Sequence, residues 1–347
     1  MALQKNLGLS ERMAVTLTVG FYMVTALVMV SVNKWALNTL QLPWLLLWCQ
    51  MLVAVVLLKA TEWFGLLKMP EIRSDVSKAL TPLIAINVLG LGVNTLCLVY
   101  VDTSFYQIAR GLVLPFTVVF AYMLLGQPSS KLVLGACFIV FCGFYTGVTS
   151  EINVSHLGIF FGIVSSVTTS LHAIVIKKSL AVVNNSSIDL VYYNNLLSLI
   201  VTTPLVFLSG ESAQLQAQFM SDVAGSGDAL RQFFFAALVT GIFGFLVNLA
   251  GFLQISKTSP TTHMVSGAVR GVLQTLLGYF AFNDIITAGR LTGIFLILSG
   301  GALYTWAKDK EMQAKANNQA AYIPMTQQDV NNDDLDDDHP EKRTNKD

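Results

Sequence analysis

Runs of about 20 predominantly apolar residues, the length a helix needs to cross a bilayer, recur from residue 13 to residue 307 of this 347-residue chain. They predict ten spans, at 13–36, 43–64, 77–100, 103–125, 131–149, 156–180, 188–209, 230–256, 259–281 and 287–307. Hydrophobic residues make up 54% of the chain and charged residues only 12%, against about 45–50% and about 25% in soluble domains. That excess of apolar surface needs lipid around it. With no water in the hydrocarbon zone, backbone polar groups must be satisfied internally, so the runs are helices and the class is an all-α membrane protein. Residues 1–12 read as a cytosolic N-terminal tail and 210–229 as the one roomy loop. Residues 308–347, with Asp333-Asp334 and Asp336-Asp337-Asp338, read as a disordered acidic cytosolic tail that cannot bury a core. The first apolar run has no small-residue cleavage site and is not a signal peptide.

Orientation follows the basic residues. With the N-terminus in the cytosol, the cytosolic segments carry Lys5, Arg12, Lys59, Lys68, Arg73, Lys78, Lys131, Lys177, Lys178 and Lys257, and the opposite face only Arg231 and Arg290. An even number of spans puts both termini on the cytosolic side. A net charge of zero with no basic face excludes nucleic acid as a partner. Cys49, Cys97, Cys137 and Cys142 all fall inside apolar runs, where cysteines behave as small core residues and not as a disulfide or metal framework.

The ten spans divide into halves, 13–149 and 156–307, with matching features. Val93-Asn94 answers Val247-Asn248, and each is followed by a Thr-Ser pair, Thr103-Ser104 and Thr258-Ser259. Gly111 answers Gly267, Gly135 answers Gly293, and Gly143-Phe144-Tyr145-Thr146 resembles Gly301-Ala302-Leu303-Tyr304-Thr305. Five is odd, so the second half enters the membrane from the opposite side. The expected architecture is a five-plus-five inverted repeat, which in transporters holds substrate near the midplane.

Charges in the hydrocarbon zone are costly and mark function. Arg270 lies near the middle of its span and Arg110 about two turns into the fourth, whereas Lys34 lies near the end of the first. An interfacial role suits Lys34 as well as a site role. The acids Asp102, Asp189 and Asp284 all sit at span ends, so nothing in mid-membrane neutralises the arginines. An anionic ligand supplies the missing charge, and a phosphate or diphosphate matches the forked guanidinium. With no membrane-embedded carboxylate to carry a coupling ion, exchange of one anion for another is expected over ion-driven uptake. His172 and His263 are expected to be packing histidines. Tyr192-Tyr193-Asn194-Asn195 opens the seventh span. Its amides match a purine edge and its rings offer a stacking face, although helix–helix hydrogen bonding explains asparagines equally well. Ser165-Ser166 and Thr168-Thr169-Ser170 are either packing contacts or cavity lining.

Three stretches resemble a known family. Tyr192-Tyr193-Asn194-Asn195 looks like the Phe-Tyr-Asn-Asn motif with which GDP-sugar carriers hold guanine. Ser259-Pro260-Thr261-Thr262-His263-Met264-Val265-Ser266-Gly267-Ala268-Val269-Arg270 resembles Ser-Pro-Leu-Thr-His-Asn-Val-Ser-Gly-Thr-Ala-Lys, and Phe105-Tyr106-Gln107-Ile108-Ala109-Arg110 resembles Phe-Tyr-Asn-Val-Gly-Arg. Both are patterns of the GDP-fucose branch of the nucleotide-sugar transporters, in the drug/metabolite transporter superfamily. The resemblance covers nearly all of residues 13–308 and implies that superfamily's ten-helix inverted-repeat fold in the Golgi membrane. It implies import of a GDP-sugar, foremost GDP-fucose, in exchange for GMP. It adds His263, Ser266, Gly267 and, by spacing from Asn33-Lys34, Tyr22 to a substrate site of Arg270, Arg110, Asn194, Asn195, Tyr193, Tyr192 and Lys34. GDP-mannose carriers have Gly-Ala-Leu-Asn-Lys where this chain has Ser266-Gly267-Ala268-Val269-Arg270, which argues against GDP-mannose. A GDP-mannose or UDP-sugar carrier, or a sugar-phosphate/phosphate exchanger of the same fold, is the alternative. No catalytic acid or metal-binding carboxylate pair stands at the membrane face, so no enzyme and no cofactor are expected. Whether the unit is a monomer or a homodimer stays open.

Overall fold

The computed structural model describes residues 11–126, 128–150, 155–223, 228–257, 260–282 and 287–333. The chain forms α1 (Glu11–Thr39), α2 (Pro43–Trp63), a short α3 (Ser74–Ala79), α4 (Thr81–Tyr100), α5 (Thr103–Gly111) and α6 (Val113–Leu125). Beyond these come α7 (Lys131–Thr149), α8 (His156–Ser179) with a 3-10 turn at Leu180–Val183, α9 (Ser187–Leu208), α10 (Glu211–Val223), α11 (Ala229–Lys257), α12 (Pro260–Phe282) and α13 (Ala288–Asp333). Eight segments, from Thr16–Thr39 to Ala229–Val247, are long and apolar enough to cross a membrane. Helices α12 and α13 occupy the places expected of a ninth and tenth. Local chemistry sets many of the boundaries. Proline stands in the first turn of α2 and α4, where its missing N–H is no loss. Ser130, Ser155 and Ser186 cap α7, α8 and α9 by accepting from the N–H groups of Val133, Gly158 and Asp189.

Two segments expected to be irregular are helical. Residues 211–223 form α10 inside the loop that joins two spans. Helix α13 continues past the membrane segment through residues 308–333, which were expected to be disordered. Ala, Gln, Lys and Glu dominate its continuation over 310–321 and propagate a helix already nucleated in the bundle. Lys308 bonds Glu311 at 2.8 Å and Gln313 bonds Asp309 at 3.0 Å along that surface.

The helices pair as α1 with α11, α4 with α8, α2 with α9 and α7 with α13, while α12 packs on α1, α5 and α13. Large apolar side chains such as Leu17, Val24, Phe138, Tyr145, Phe160, Phe207, Phe235 and Phe295 point outward, as a protein solvated by lipid requires. Close backbone approach takes the place of a hydrophobic driving force. At the crossing of α7 and α13, a Cβ on Gly143 or on Gly293 would lie 2.7 Å from the other's carbonyl oxygen, so only glycine fits at either position.

The fourth expected span is two helices. Pro115 has no N–H to offer Gly111, and its ring crowds that carbonyl, so the helix breaks at Leu112 between α5 and α6. Helix α8 bonds the carbonyls around the break. Ser166 Oγ donates to Ala109 O at 2.7 Å and Ser170 Oγ to Val113 O at 2.8 Å. These two serines are therefore packing contacts, and they fix the direction in which Arg110 leaves α5.

One end of the bundle is tied by charges reaching across helix termini. Lys34 Nζ donates to Leu98 O at 2.8 Å and Val101 O at 2.9 Å, closing the C-terminal end of α4. The Glu211 carboxylate accepts from Trp44 N at 3.0 Å and Leu45 N at 2.8 Å, capping α2 from α10. Arg290, expected at the non-cytosolic face, is buried and pairs with Asp102 at 3.0 Å. The pair joins the start of α13 to the start of α5.

Candidate anion-binding site

Four helices deliver the polar groups at the centre of the bundle. Arg110 leaves α5 just before its break, Arg270 leaves α12, Tyr22 leaves α1 and Asn94 leaves α4. Arg110 Nη1 donates to Tyr106 Oη at 2.9 Å, and its guanidinium carbon lies 5.6 Å from that ring's centroid. Tyr106 Oη donates onward to Asn94 Oδ1 at 2.9 Å, which also accepts from Ser165 Oγ at 2.9 Å. The chain from Ser165 through Asn94 and Tyr106 holds Arg110 in one orientation without using its remaining N–H groups. The Arg270 guanidinium carbon lies 5.9 Å from the Tyr22 centroid, and its Nε is buried with no hydrogen-bond partner among the described residues.

Arg110 acts electrostatically on Arg270, together with Tyr22 and Tyr106, and the groups acting on Arg110 are Tyr106, Tyr22 and Cys97. Among the described residues no carboxylate acts on either arginine. Like charges set together in a medium of low dielectric repel strongly, and cation–π contacts return only a small part of that cost. An anion entering between the forks relieves both the repulsion and the unpaired Nε.

The other expected residues are distributed more widely. Asn194 Oδ1 is buried without a partner among the described residues. Asn195 Nδ2 instead donates to Val191 O at 2.8 Å within its own helix. Tyr193 is only 2% exposed. Its hydroxyl accepts from Arg73 N at 3.0 Å and donates to Glu71 O at 2.8 Å. Its ring packs with Leu80, Leu83, Val183 and Leu190. Tyr192 packs with Leu58 and Met69, beneath Lys59 Nζ at 5.2 Å. The paired tyrosines thus hold the connection between α2 and α4 and are engaged away from the arginines. Lys34 is engaged at the α4 terminus. His263, Ser266 and Gly267 fall on α12, but their side chains lie outside the described residues, as do Asn248, Thr258 and Ser259. His172 Nε2 is buried without a partner among the described residues.

Sequence reasoning did not assign roles to Tyr106, Asn94 or Gln274, and it left Ser165 between packing and cavity lining. Asn94 stood in the repeat and Tyr106 beside Arg110, so the signal was a polar residue three to four positions from a buried cation. Gln274 stands in the same relation to Arg270. It is wholly buried, and both its amide atoms lack partners among the described residues.

The membrane-crossing helices of the described residues define a multi-pass membrane protein, and its relatives place it among the membrane carriers. The chain is a member of the Triose-phosphate Transporter family, whose model matches residues 13–305. It is 33% identical over 308 residues to a GDP-fucose transporter of Caenorhabditis elegans, covering 86% of this chain and 83% of that one. A Golgi GDP-fucose transporter of Drosophila melanogaster is 30% identical over 325 residues, covering 89% and 94%. A solved crystal structure shares the fold at a TM-score of 0.53 with 14% identity, over 86% of this chain and 98% of the other. Family and relatives alike are transporters, and the protein is a multi-pass membrane transporter and not an enzyme.

Proposed function

We propose that the protein is a Golgi antiporter that carries a GDP-sugar, foremost GDP-fucose, into the lumen in exchange for GMP. The observation that carries this reading is the pairing of Arg110 and Arg270 with no carboxylate acting on either. A diphosphate supplies the missing charge and bonds both forks bidentately. The orphaned Asn194 Oδ1 accepts from the N–H groups on the guanine edge. Tyr22, buried beside Arg270, lines the nucleotide. Obligate exchange follows from the electrostatics, because an emptied site restores the repulsion and a second anion must occupy it before the carrier can reorient.

Ten spans in an inverted repeat, with both termini cytosolic, complete the proposal. The helix pairing supports it. Exchanging the first five spans with the last five turns the α1–α11 contact into α8–α4, and leaves α2–α9 and α7–α13 unchanged as pairs, all of which occur. A two-fold axis lying in the membrane plane requires such a pattern.

The test is uptake of labelled GDP-fucose by purified protein in liposomes loaded with GMP, with GDP-mannose, UDP-sugars and sugar phosphates as competitors. Strong uptake into loaded vesicles and little into empty ones is expected. Accumulation driven by a pH gradient without internal nucleotide, or preferential competition by a UDP-sugar, refutes the proposal.

A further inference from the structure

Beyond the arginine pair, towards the end closed by Asp102 and Arg290, two more buried polar groups are left unpaired. Gln274 is 0% exposed with neither Nε2 nor Oε1 bonded, and Thr103 is 0% exposed with Oγ1 unbonded, among the described residues. Both follow the faces that carry the arginines. On α12, Gln274 is one turn past Arg270, about 6 Å along the axis and rotated by roughly 40°. On α5, Thr103, Gln107 and Arg110 share one stripe. The two helices pack together, and Gln107 Oε1 would lie 3.9 Å from a Cβ on Gly271. Gln274 points between the direction of Arg270 and that of Gly271, so it lies over the stretch of α5 between Gln107 and Thr103.

We propose that Gln274 and Thr103 form the subsite for hydroxyls of the sugar. The inference rests on the GDP-sugar reading and extends it to the part of the ligand that distinguishes one nucleotide sugar from another. An amide and a hydroxyl each give and accept a hydrogen bond, and so does each hydroxyl of a sugar ring. Neither group bears charge, so neither competes with the arginines for phosphate. A buried polar atom without a partner destabilises the empty protein, and a ligand hydroxyl removes that penalty on binding. On α12, Gln274 lies one turn beyond Arg270, so a sugar held there follows directly on a diphosphate held by the arginine.

Gln274→Met keeps the length of the side chain and removes both amide atoms. The empty variant should unfold at or above the wild-type temperature, because an unpaired amide has been removed. GMP should stabilise it as it does the wild type, and GMP/GMP exchange should be unchanged. GDP-fucose/GMP exchange should fall tenfold or more. Thr103→Val should give the same split and serves should Gln274→Met not fold. Equal loss of GMP and GDP-fucose exchange, no loss of either, or a lower unfolding temperature in the empty Gln274→Met protein overturns the subsite. Failure of the wild type to bind GMP or to carry GDP-fucose strikes the nucleotide-sugar reading itself, a result that neither variant can mimic.

Discussion

Replacing Lys34 with Met separates structural from ligand-binding cations in this carrier. The side chain keeps its length but loses the ammonium that holds Leu98 O and Val101 O at 2.8 and 2.9 Å. Hydrogen bonds to a charged donor are worth about 1.5–3 kcal/mol each. Loss of two of them at a buried helix terminus should destabilise the protein by about 3–6 kcal/mol. At about 2–4 °C per kcal/mol, the unfolding temperature should drop by roughly 10 °C. The lysine's ammonium is engaged with backbone carbonyls, so the increment in Tm produced by saturating GMP should persist, since it reflects only binding to the folded state. The assay is thermal unfolding in detergent with and without GMP. An unchanged Tm in the absence of nucleotide, coupled with loss of the GMP increment, would falsify the reasoning and return Lys34 to the substrate site.

Arg270→Ala should abolish GMP stabilisation and GDP-sugar exchange while leaving the empty protein at least as stable as wild type, because no carboxylate is stranded and the repulsion from Arg110 is relieved. Arg270→Lys should keep weak exchange without the bidentate fork, and persistence of full exchange in the alanine variant removes the residue from the site. Asn194→Ala should weaken GMP binding by about 1–3 kcal/mol, measured by calorimetry, with a smaller effect from Asn195→Ala because that amide is already bonded to Val191 O; the reverse ranking defeats the assignment. Tyr106→Phe breaks the link from Arg110 to Asn94 and should raise the KM for GDP-sugar by roughly tenfold, equivalent to about 1.4 kcal/mol, while a wild-type KM would show that the arginine needs no such support. Burial raises the Glu211 carboxyl above its ordinary value of 4.5, against the opposing pull of the Trp44 and Leu45 N–H groups. The folded protein therefore holds this proton more tightly than the unfolded chain, and the group's contribution declines as pH rises from 4.5 through the raised folded value. Glu211→Gln should flatten that part of the Tm–pH curve, and an unaltered slope would assign it to other groups.

The sequence by itself determined the solvent and the all-helical class, and it set the expectation of an anionic ligand. These follow from local rules. A run of about 20 apolar residues can only be a helix in lipid, and a cation in mid-span with no acid at comparable depth needs a counter-charge wherever the helices pack. Arg110 and Arg270 were therefore legible before any fold was known, and so was the family resemblance carried by the stretches around them. Tertiary structure decided what each remaining polar group is for, because the partners are remote in sequence. Lys34 bonds carbonyls more than 60 residues away, Tyr193 secures Glu71 and Arg73 across 122 and 120 positions, and Arg290 reaches Asp102 across 188. A motif such as Tyr192-Tyr193-Asn194-Asn195 presents four polar residues in a row. Helical geometry turns successive side chains by about 100°, so two tyrosines enter the packing beside α2 and α4 while Asn194 is left with an unpaired acceptor. Which of the four is left open to a ligand depends on which neighbour each face touches, and that follows from the packing of the bundle and not from the motif.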